Sequence, residues 1–393
     1  MARRPSTDSD LRVLPLPAAA SATRLVGHEA AERGFLSALE AGRVPHAWLI
    51  TGPKGVGKAT LAFRMARALL AAPAEAPVEA GGLFGEAPKA APSLDMEPQH
   101  PVFRRVAELA HSDLRLLRRS LNDKGKLRSE IVIEDVRAAI DFLRLTPAEG
   151  AWRVLVVDAA DDLNRNAANA LLKILEEPRP RTVLILVSHA PGRLLPTIRS
   201  RCRRLTLAPL PEAVMAAELK ARAPDLAGED LRLVTALAEG SLGHALTLVE
   251  TDALTLFREI AGLLAQWPRA ETAALHKLAD RLGGRGAERE FEMGAELLEW
   301  IGARFLRNAA LGGRVDPEGF PGEAELCRKW LAAAGLDRWL ELWEKVERLF
   351  VRVLSVNLDR RQAWLTAWLA LQSVEAGGLN AGPSGDESRY GGP

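Results

Sequence analysis

Residues 46–61 constrain the fold of this chain more than any other stretch, because an apolar run there gives way to glycines and then to an amphipathic segment. They read His-Ala-Trp-Leu-Ile-Thr-Gly-Pro-Lys-Gly-Val-Gly-Lys-Ala-Thr-Leu, and Gly52, Gly57 and Lys58 match the phosphate-loop pattern G-x-x-x-x-G-K. In such a loop the glycines, here with Gly55 between them, let backbone N–H groups converge on phosphate oxygens, and the lysine neutralises their charge. The stretch therefore predicts a strand, a phosphate-binding loop and a helix.

The residue after the lysine departs from this pattern. Active phosphate loops carry Ser or Thr there, whose hydroxyl binds the Mg²⁺ of the nucleotide, but this chain has Ala59. Thr60 lies one residue further, about 100° around the helix, so its hydroxyl is expected to point away from the metal. The loop thus keeps its anion-binding backbone and loses a metal ligand.

A second diagnostic run occupies residues 154–158. A continuous apolar run that ends in Asp158 is typical of a buried parallel strand with a carboxylate at the sheet edge where ligands bind. In nucleotide-hydrolysing relatives of such a loop, an acidic neighbour of this Asp polarises the attacking water, and here the neighbour is Ala159. Asp161 and Asp162 come too late for that position and are predicted to cap the next helix.

Residues 182–188 form another predicted buried strand, Thr-Val-Leu-Ile-Leu-Val-Ser. Ser188 at its end has two interpretations that the sequence leaves open. It is either a sensor of a bound phosphate or a hydroxyl that satisfies backbone groups at the strand end.

Composition limits the function classes. With 393 residues, 48% of them hydrophobic, the chain is long enough for two or three packed domains. No run of 18 apolar residues and no signal-peptide core is present, so a cytoplasmic protein is expected. The net charge of +1 excludes an overall field that would drive the chain onto nucleic acid, and a local contact at the basic segment 118–128 is less favoured than a solvated hairpin. Cys202 and Cys327 lie too far apart in sequence to suggest a disulfide framework or a zinc site.

The pattern along the chain predicts an α/β phosphate-loop domain, with a parallel sheet and flanking helices, followed by helical domains. In the second half, tryptophans recur in phase with Leu and Val, which favours a bundle core over a base-stacking surface. The predicted parts are a disordered N-terminus at 1–22, the α/β domain at 23–209 with an Ala/Pro-rich insertion at 71–98, a small helical lid at 210–251, an all-α domain at 252–375 and a disordered tail at 376–393.

Four motifs occur in a fixed order along the chain. They are residues 46–58, Val-Val-Asp-Ala-Ala-Asp at 156–161, Asn-Ala-Leu-Leu-Lys-Ile-Leu-Glu-Glu-Pro at 169–178 and Ser-Arg-Cys at 200–202. In this order they resemble the AAA+ subunits of the bacterial DNA polymerase III clamp loader, and within that family the delta-prime type most. The resemblance covers roughly residues 24–250, and its last two motifs are specific to clamp-loader relatives.

The resemblance implies a role for Arg201, the arginine of the Ser-Arg-Cys motif. In clamp loaders this arginine reaches across a subunit interface into the neighbour's ATP site and stabilises charge on the transferred phosphoryl group. The chain's own site is weakened at Ala59, Ala159 and Gly243, where active relatives carry the metal-binding hydroxyl, an acidic residue and a sensing arginine. A largely non-hydrolysing subunit is therefore expected.

The residues expected to form this degenerate nucleotide site come from the loop and two strand ends. They are Gly52, Gly55, Gly57, Lys58, Thr60, Asp158 and Ser188. No cofactor is required in this interpretation, and the retained loop is compatible with weak ATP or ADP binding without turnover. Many relatives carry four zinc-binding cysteines between the nucleotide motifs, but this chain has none there, so no metal site is expected.

The resemblance also implies partners. The all-α domain is the collar by which clamp-loader subunits form a hetero-oligomeric ring, and the ring loads the sliding clamp on primed DNA. The chain is then a component of a DNA-directed DNA polymerase, a nucleotidyltransferase, and not a catalyst alone. The alternative is an autonomous AAA+ ATPase, a clamp-loader motor subunit or a DNA-remodelling relative, in which Thr60 replaces the lost hydroxyl.

Overall fold

The computed structural model describes residues 18–72, 93–315, 318–356 and 358–374. The described part of the chain divides into two compact units, one from the residues up to 215 together with 240–244, the other from 216–239 and the residues from 245 onward. The predicted disordered tail and most of the predicted Ala/Pro-rich insertion lie outside the described residues.

The predicted disorder of residues 1–22 is wrong at its C-terminal end. Helix α1 (Ala18–Ser21) forms there, and its Ala20 is buried. The buried guanidinium of Arg67 donates hydrogen bonds to the carbonyls of Ala20, at 3.3 Å, and Ala22, at 2.7 Å. These contacts order a segment whose composition alone predicts no structure, because they come from a residue far away in the sequence.

Five parallel strands form the sheet of the first unit. They are β1 (Ala47–Thr51), β2 (Leu114–Leu117), β3 (Arg153–Asp158), β4 (Thr182–Ser188) and β5 (Arg203–Thr206). Their order across the sheet is β2-β3-β4-β1-β5, and each neighbouring pair is parallel. The apolar runs of β1, β3 and β4 lie in its interior, as is typical of parallel strands covered on both faces. The predicted α/β sheet is confirmed.

Helices cover both faces of this sheet. They are α2 (Glu29–Glu40), α3 (Lys58–Ala71), α4 (Pro101–Ala107), α5 (Ile133–Arg144), α6 (Arg165–Glu176) and α7 (Pro196–Arg201). Because successive strand residues point to opposite faces, Trp48 and Ile50 pack in one core with α2, α3 and α4, whereas Ala47 and Leu49 pack in the other with α5, α6 and α7. The parallel strands bring all five carboxyl ends to one edge of the sheet.

Helix α6 begins later than predicted. Asp161 and Asp162 do not cap it; the cap is Asn164, whose side-chain oxygen accepts a 2.9 Å hydrogen bond from the N–H of Ala167. An Asn at this position is a favourable cap because its side chain replaces a missing intrahelical acceptor.

A buried ion pair joins the start of β2 to the start of β3. Asp113 is fully buried, and its Oδ1 lies 2.9 Å from an NH2 nitrogen of Arg153, which is 4% exposed. The backbone N–H groups of residues 148–150 donate to the same carboxylate, and Arg153 donates to the carbonyls of Phe142 and Thr146. Both charges are therefore paired and hydrogen-bonded, as burial requires.

Nine helices are described after β5, and two of them begin in residues of the first unit. They are α8 (Glu212–Arg222), α9 (Gly228–Leu237), α10 (Leu242–Glu250), α11 (Ala253–Ala265), α12 (Thr272–Leu282), α13 (Glu288–Ala310), α14 (Glu323–Ala333), α15 (Leu336–Val356) and α16 (Arg360–Ser373). The lid at 210–251 and the collar at 252–375 stay predictions as separate domains.

The second unit has an aromatic core. Trp330, Trp339, Trp364 and Trp368 are at most 1% exposed, and the rings of Trp330 and Trp339 stack with centroids 4.9 Å apart. These tryptophans belong to the bundle core, which confirms that interpretation over a base-stacking surface. Among the described helices, none is long and apolar enough to cross a membrane.

Candidate functional site

The phosphate loop leaves the carboxyl end of β1 and enters the first turn of α3. Gly52, Gly55 and Gly57 have φ angles of 146°, 80° and 105°, which side chains rarely adopt. A Cβ on Gly55 would lie 2.3 Å from Ser241 Oγ, and one on Gly52 would lie 2.3 Å from the carbonyl oxygen of Leu207. The conformation of the loop therefore depends on the glycines that the motif predicted.

Lys58 is turned onto its own loop. Its side chain is buried, and its Nζ donates a 2.7 Å hydrogen bond to the carbonyl oxygen of Gly52 and another to that of Pro53. Burial lowers the pKa of Lys58 to about 8, although the charges of Asp161 and Asp158 oppose the shift. The amine that would neutralise a phosphate is thus engaged by backbone carbonyls.

A short segment, residues 240–244, lies against the phosphate loop, and we call it the cover. Ser241 Oγ donates a 2.8 Å hydrogen bond to the carbonyl of Lys54, and the N–H of Gly243 donates a 2.9 Å hydrogen bond to the carbonyl of Gly55. The cover therefore holds the loop through backbone groups. Sequence reasoning missed it except for Gly243, because no local pattern joins two segments so far apart.

Gly243 has a packing role beyond the missing arginine. A Cβ at this position would lie 2.9 Å from the carbonyl oxygen of Gly55 and 3.1 Å from its Cα. A side chain here therefore requires the cover or the loop to move. The position at which the resemblance predicts a sensing arginine is thus one whose lack of a side chain allows close contact with the loop.

Ser188 donates a hydrogen bond to the neighbouring carboxylate of Asp161. It is fully buried, and its Oγ donates a 2.7 Å hydrogen bond to Asp161 Oδ1, which also accepts from the N–H of Ala190 at 3.3 Å. The N–H of His189 donates to the other oxygen of the same carboxylate. Ser188 thus satisfies a structural group at the strand end, and Asp161, predicted as a helix cap, closes the turn after β4 instead.

The remaining predicted residues lie near the loop or in its helix. Asp158 ends β3 at the same sheet edge, and burial raises its pKa while the charges of Arg118 and Lys58 oppose the rise. Thr60 occupies the first turn of α3 and is half-buried. Among the described residues, no group of three or more His, Cys, Asp or Glu side chains is suited to hold a metal ion.

His28 is a further loop contact that sequence reasoning missed. It is 6% exposed, and its Nε2 lies 2.8 Å from the carbonyl oxygen of Val56 in the loop. Because a carbonyl only accepts, Nε2 carries the proton. The segment before α2 therefore supports the loop from a second direction.

Arg201 is the last residue of α7. Its NH1 donates a 3.1 Å hydrogen bond to the carbonyl of Thr197, and its NH2 lies 3.0 Å from Glu176 Oε1. The side chain is 36% exposed. Burial raises the pKa of the adjacent Cys202 thiol to about 12, which disfavours the reactive thiolate form.

The sheet separates Arg201 from the phosphate loop of the same chain. The loop follows β1 at the carboxyl edge, whereas Arg201 precedes β5, the strand that pairs in parallel with β1 from Trp48↔Arg203 to Thr51↔Thr206. From the first to the last of these four pairs the strands rise about 10 Å, at about 3.3 Å per residue. The structure therefore does not bring Arg201 together with the other predicted site residues.

Known proteins resemble the first half of the chain. A sequence profile of the family described as DNA polymerase III, delta subunit, matches residues 27–211. The DNA polymerase III subunit delta' of Pseudomonas aeruginosa is 40% identical over 197 residues, which are 50% of this chain and 53% of that protein. Subunit delta' of Escherichia coli is 32% identical over 218 residues, 56% of this chain and 58% of that protein. Subunit gamma/tau of Mycobacterium bovis is 32% identical over 203 residues, 51% of this chain and 31% of that protein.

The chain thus spans a little over half the length of these two delta-prime relatives. The profile match includes the phosphate loop, the five strands and the Ser-Arg-Cys segment. These similarities confirm the resemblance that the four motifs indicated. Over residues 27–211 the chain matches the family described as DNA polymerase III, delta subunit, and it is similar to the delta' subunits of two bacteria.

Proposed function

We propose that this chain is a clamp-loader subunit that supplies Arg201 to the ATP site of a neighbouring subunit and hydrolyses little or no ATP itself. In this role it assembles with other clamp-loader subunits in the cytoplasm and helps to place a sliding clamp on primed DNA. The observation that carries the proposal is the placement of Arg201 at the sheet edge opposite its own phosphate loop. An arginine at that edge cannot serve the nucleotide site of its own chain, so any nucleotide site that it serves belongs to another subunit.

The chain's own loop supports the second half of the proposal. Ala59 removes the hydroxyl that would bind Mg²⁺, and Ala159 removes the acid that would polarise water. Lys58 is engaged by loop carbonyls, and the cover is hydrogen-bonded to the loop. A nucleotide must displace these contacts, so we expect weak binding of ATP or ADP and no turnover.

Arg201 has the chemistry that the role requires. A guanidinium offers five N–H donors in a planar fork, stays charged at neutral pH and matches the oxygens of a phosphoryl group. Such an arginine stabilises charge that develops in the transition state of phosphoryl transfer. The side chain of Arg201 is 36% exposed and its partner Glu176 is half-exposed, so other N–H donors of the guanidinium can meet a phosphate while the ion pair persists.

The test is ATP turnover by the complex assembled with the cognate clamp-loader subunits. All loops except the one facing this chain are inactivated by lysine substitution, so that turnover reports that site alone. Arg201→Ala should lower turnover by about 10³-fold, the lower range for such arginines, while the complex still assembles. Arg204→Ala, which removes an exposed arginine three residues later, is the matched control and should leave turnover unchanged.

Unchanged turnover with Arg201→Ala contradicts the proposal. The isolated chain separates it from the alternative of an autonomous ATPase. If the isolated chain hydrolyses ATP and Lys58→Ala abolishes this activity, the autonomous ATPase is favoured. Only that hypothesis requires the phosphate loop of this chain to support hydrolysis.

A further inference from the structure

The Glu176–Arg201 ion pair fixes the guanidinium before any neighbour is present. NH2 of Arg201 lies 3.0 Å from Glu176 Oε1, and NH1 donates to the carbonyl of Thr197 at 3.1 Å. Contacts to both terminal nitrogens determine the plane of the fork as well as its position. We propose that Glu176 is a positioning residue for Arg201, an inference that rests on the proposed function.

The carboxylate is attached to a well-held element. Glu176 ends α6, and the two residues before it, Ile174 and Leu175, are 6% and 2% exposed. The carbonyl of Leu175, one of those that a helix end leaves without an intrahelical partner, lies 3.1 Å from Nε2 of His46. His46 in turn directly precedes β1, an interior strand, so the end of α6 is fixed to the sheet.

The arginine, in contrast, is attached to a weakly held element. Helix α7 has six residues, and Ile198 is its buried one. Helices of this length have little stability of their own, and an arginine side chain has many rotamers. A carboxylate 3.0 Å away on the better-held helix α6 therefore adds a restraint on the guanidinium that α7 alone does not supply. Orientation before the reaction is what an electrostatic catalyst needs, because it avoids reorganisation in the transition state.

Two alternatives to positioning predict a different effect on ATP turnover when Glu176 is removed. An exposed ion pair often contributes nothing measurable, in which case removal of Glu176 changes nothing. A pair that sequesters the arginine from the neighbour would hold turnover down, in which case removal of Glu176 raises it. A positioning pair keeps turnover up, so removal lowers it.

The experiment uses the same assembled complex with one active loop. Glu176→Gln removes the charge at nearly constant volume and should lower kcat for ATP about fivefold, which corresponds to about 1 kcal/mol, the upper range for an exposed pair. KM for ATP should not change, since the interaction is made in the transition state. Glu177→Gln is the matched control, because it removes the adjacent exposed carboxylate. In an Arg201→Ala background, Glu176→Gln should have no further effect.

The outcomes distinguish the two proposals. If Arg201→Ala lowers turnover but Glu176→Gln matches Glu177→Gln, the positioning inference is overturned and the trans arginine stands. The positioning inference is also overturned if Glu176→Gln raises kcat. It is likewise overturned if Glu176→Gln lowers kcat by the same factor in the Arg201→Ala background as in the unmodified chain. If Arg201→Ala itself has no effect, the proposed function is overturned and the inference with it.

Discussion

Ser241 Oγ donates a 2.8 Å hydrogen bond to the carbonyl of Lys54, a residue 187 positions earlier in the phosphate loop. The same hydroxyl accepts a 3.1 Å hydrogen bond from the N–H of His244, so it fixes the cover internally as well as to the loop. The cover and the loop are thus one hydrogen-bonded structure. The proposed binding of a nucleotide would place phosphates in a loop that these contacts already hold.

The first prediction concerns nucleotide affinity. If phosphates enter only when the cover opens, the apparent affinity is proportional to the fraction of molecules in the open state. A substitution that weakens the contacts of the cover raises this fraction and raises the apparent affinity by the same factor. Ser241→Ala removes about 1 kcal/mol of hydrogen bonding, so the dissociation constant for ADP should fall by about fivefold. Calorimetric titration of the isolated chain measures this. Ser37→Ala, which removes an exposed hydroxyl that donates to a carbonyl within α2, should leave affinity unchanged.

If Ser241→Ala and the unmodified chain bind ADP with equal affinity, the hypothesis that the cover limits nucleotide binding is contradicted. The same samples give an independent check by urea unfolding, where Ser241→Ala should lose about 1 kcal/mol of stability.

The second prediction concerns Gly243. In Gly243→Ala the new Cβ meets the carbonyl oxygen of Gly55 at 2.9 Å, and because that atom is backbone it cannot rotate away. We expect a loss of about 1–3 kcal/mol in the free energy of unfolding. Gly192→Ala places a Cβ where nothing lies within 4 Å and should be close to neutral. Urea denaturation compares the two variants, and equal stabilities contradict the close contact.

The accuracy of the sequence predictions follows the range of the interactions involved. The phosphate loop and strands β3 and β4 were predictable because glycine spacing and apolar runs are local patterns. The hydrogen bond from Ser188 to Asp161 was not predictable from the sequence. A serine hydroxyl can donate to a phosphate or to a carboxylate, and only the fold determines which of them lies next to it. The cover and the Glu176–Arg201 pair depend on contacts between distant segments, which no periodicity reveals.

The third prediction concerns the pH dependence of stability through Lys58. Burial lowers its pKa from 10.5 to about 8, so between these values the unfolded chain binds more protons than the folded chain. Stability from this group therefore rises with pH over that window. The free energy of unfolding of the unmodified chain, minus that of Lys58→Met, should increase from pH 8 to pH 10.5.

Lys54→Met is the control for this series, because Lys54 is an exposed lysine of the same loop. The difference between the unmodified chain and Lys54→Met is the baseline against which the Lys58→Met difference is compared. A Lys58→Met difference that rises no more steeply with pH than this baseline contradicts the lowered pKa.

The fourth prediction concerns the buried pair of Asp113 and Arg153. Arg153→Met leaves the Asp113 carboxylate buried without its charged partner, and loss of one member of such a pair costs about 3–5 kcal/mol. Burial alone would raise the pKa of Asp113, but the N–H groups of residues 148–150 and the charge of Arg153 outweigh it and lower this pKa. The stability that the ionised carboxylate contributes is therefore present above about pH 4 and is lost as pH falls through the lowered pKa.

Chemical denaturation at pH 7 and at pH 3 checks both statements. Arg144→Ala, which breaks an exposed pair with Asp141 on α5, should change stability by no more than about 0.5 kcal/mol at pH 7. The gap between the unmodified chain and Arg153→Met should narrow at pH 3, because protonation begins to remove the charge that the arginine compensates. A gap below about 1 kcal/mol at pH 7 would show that the pair is no more important than an exposed one.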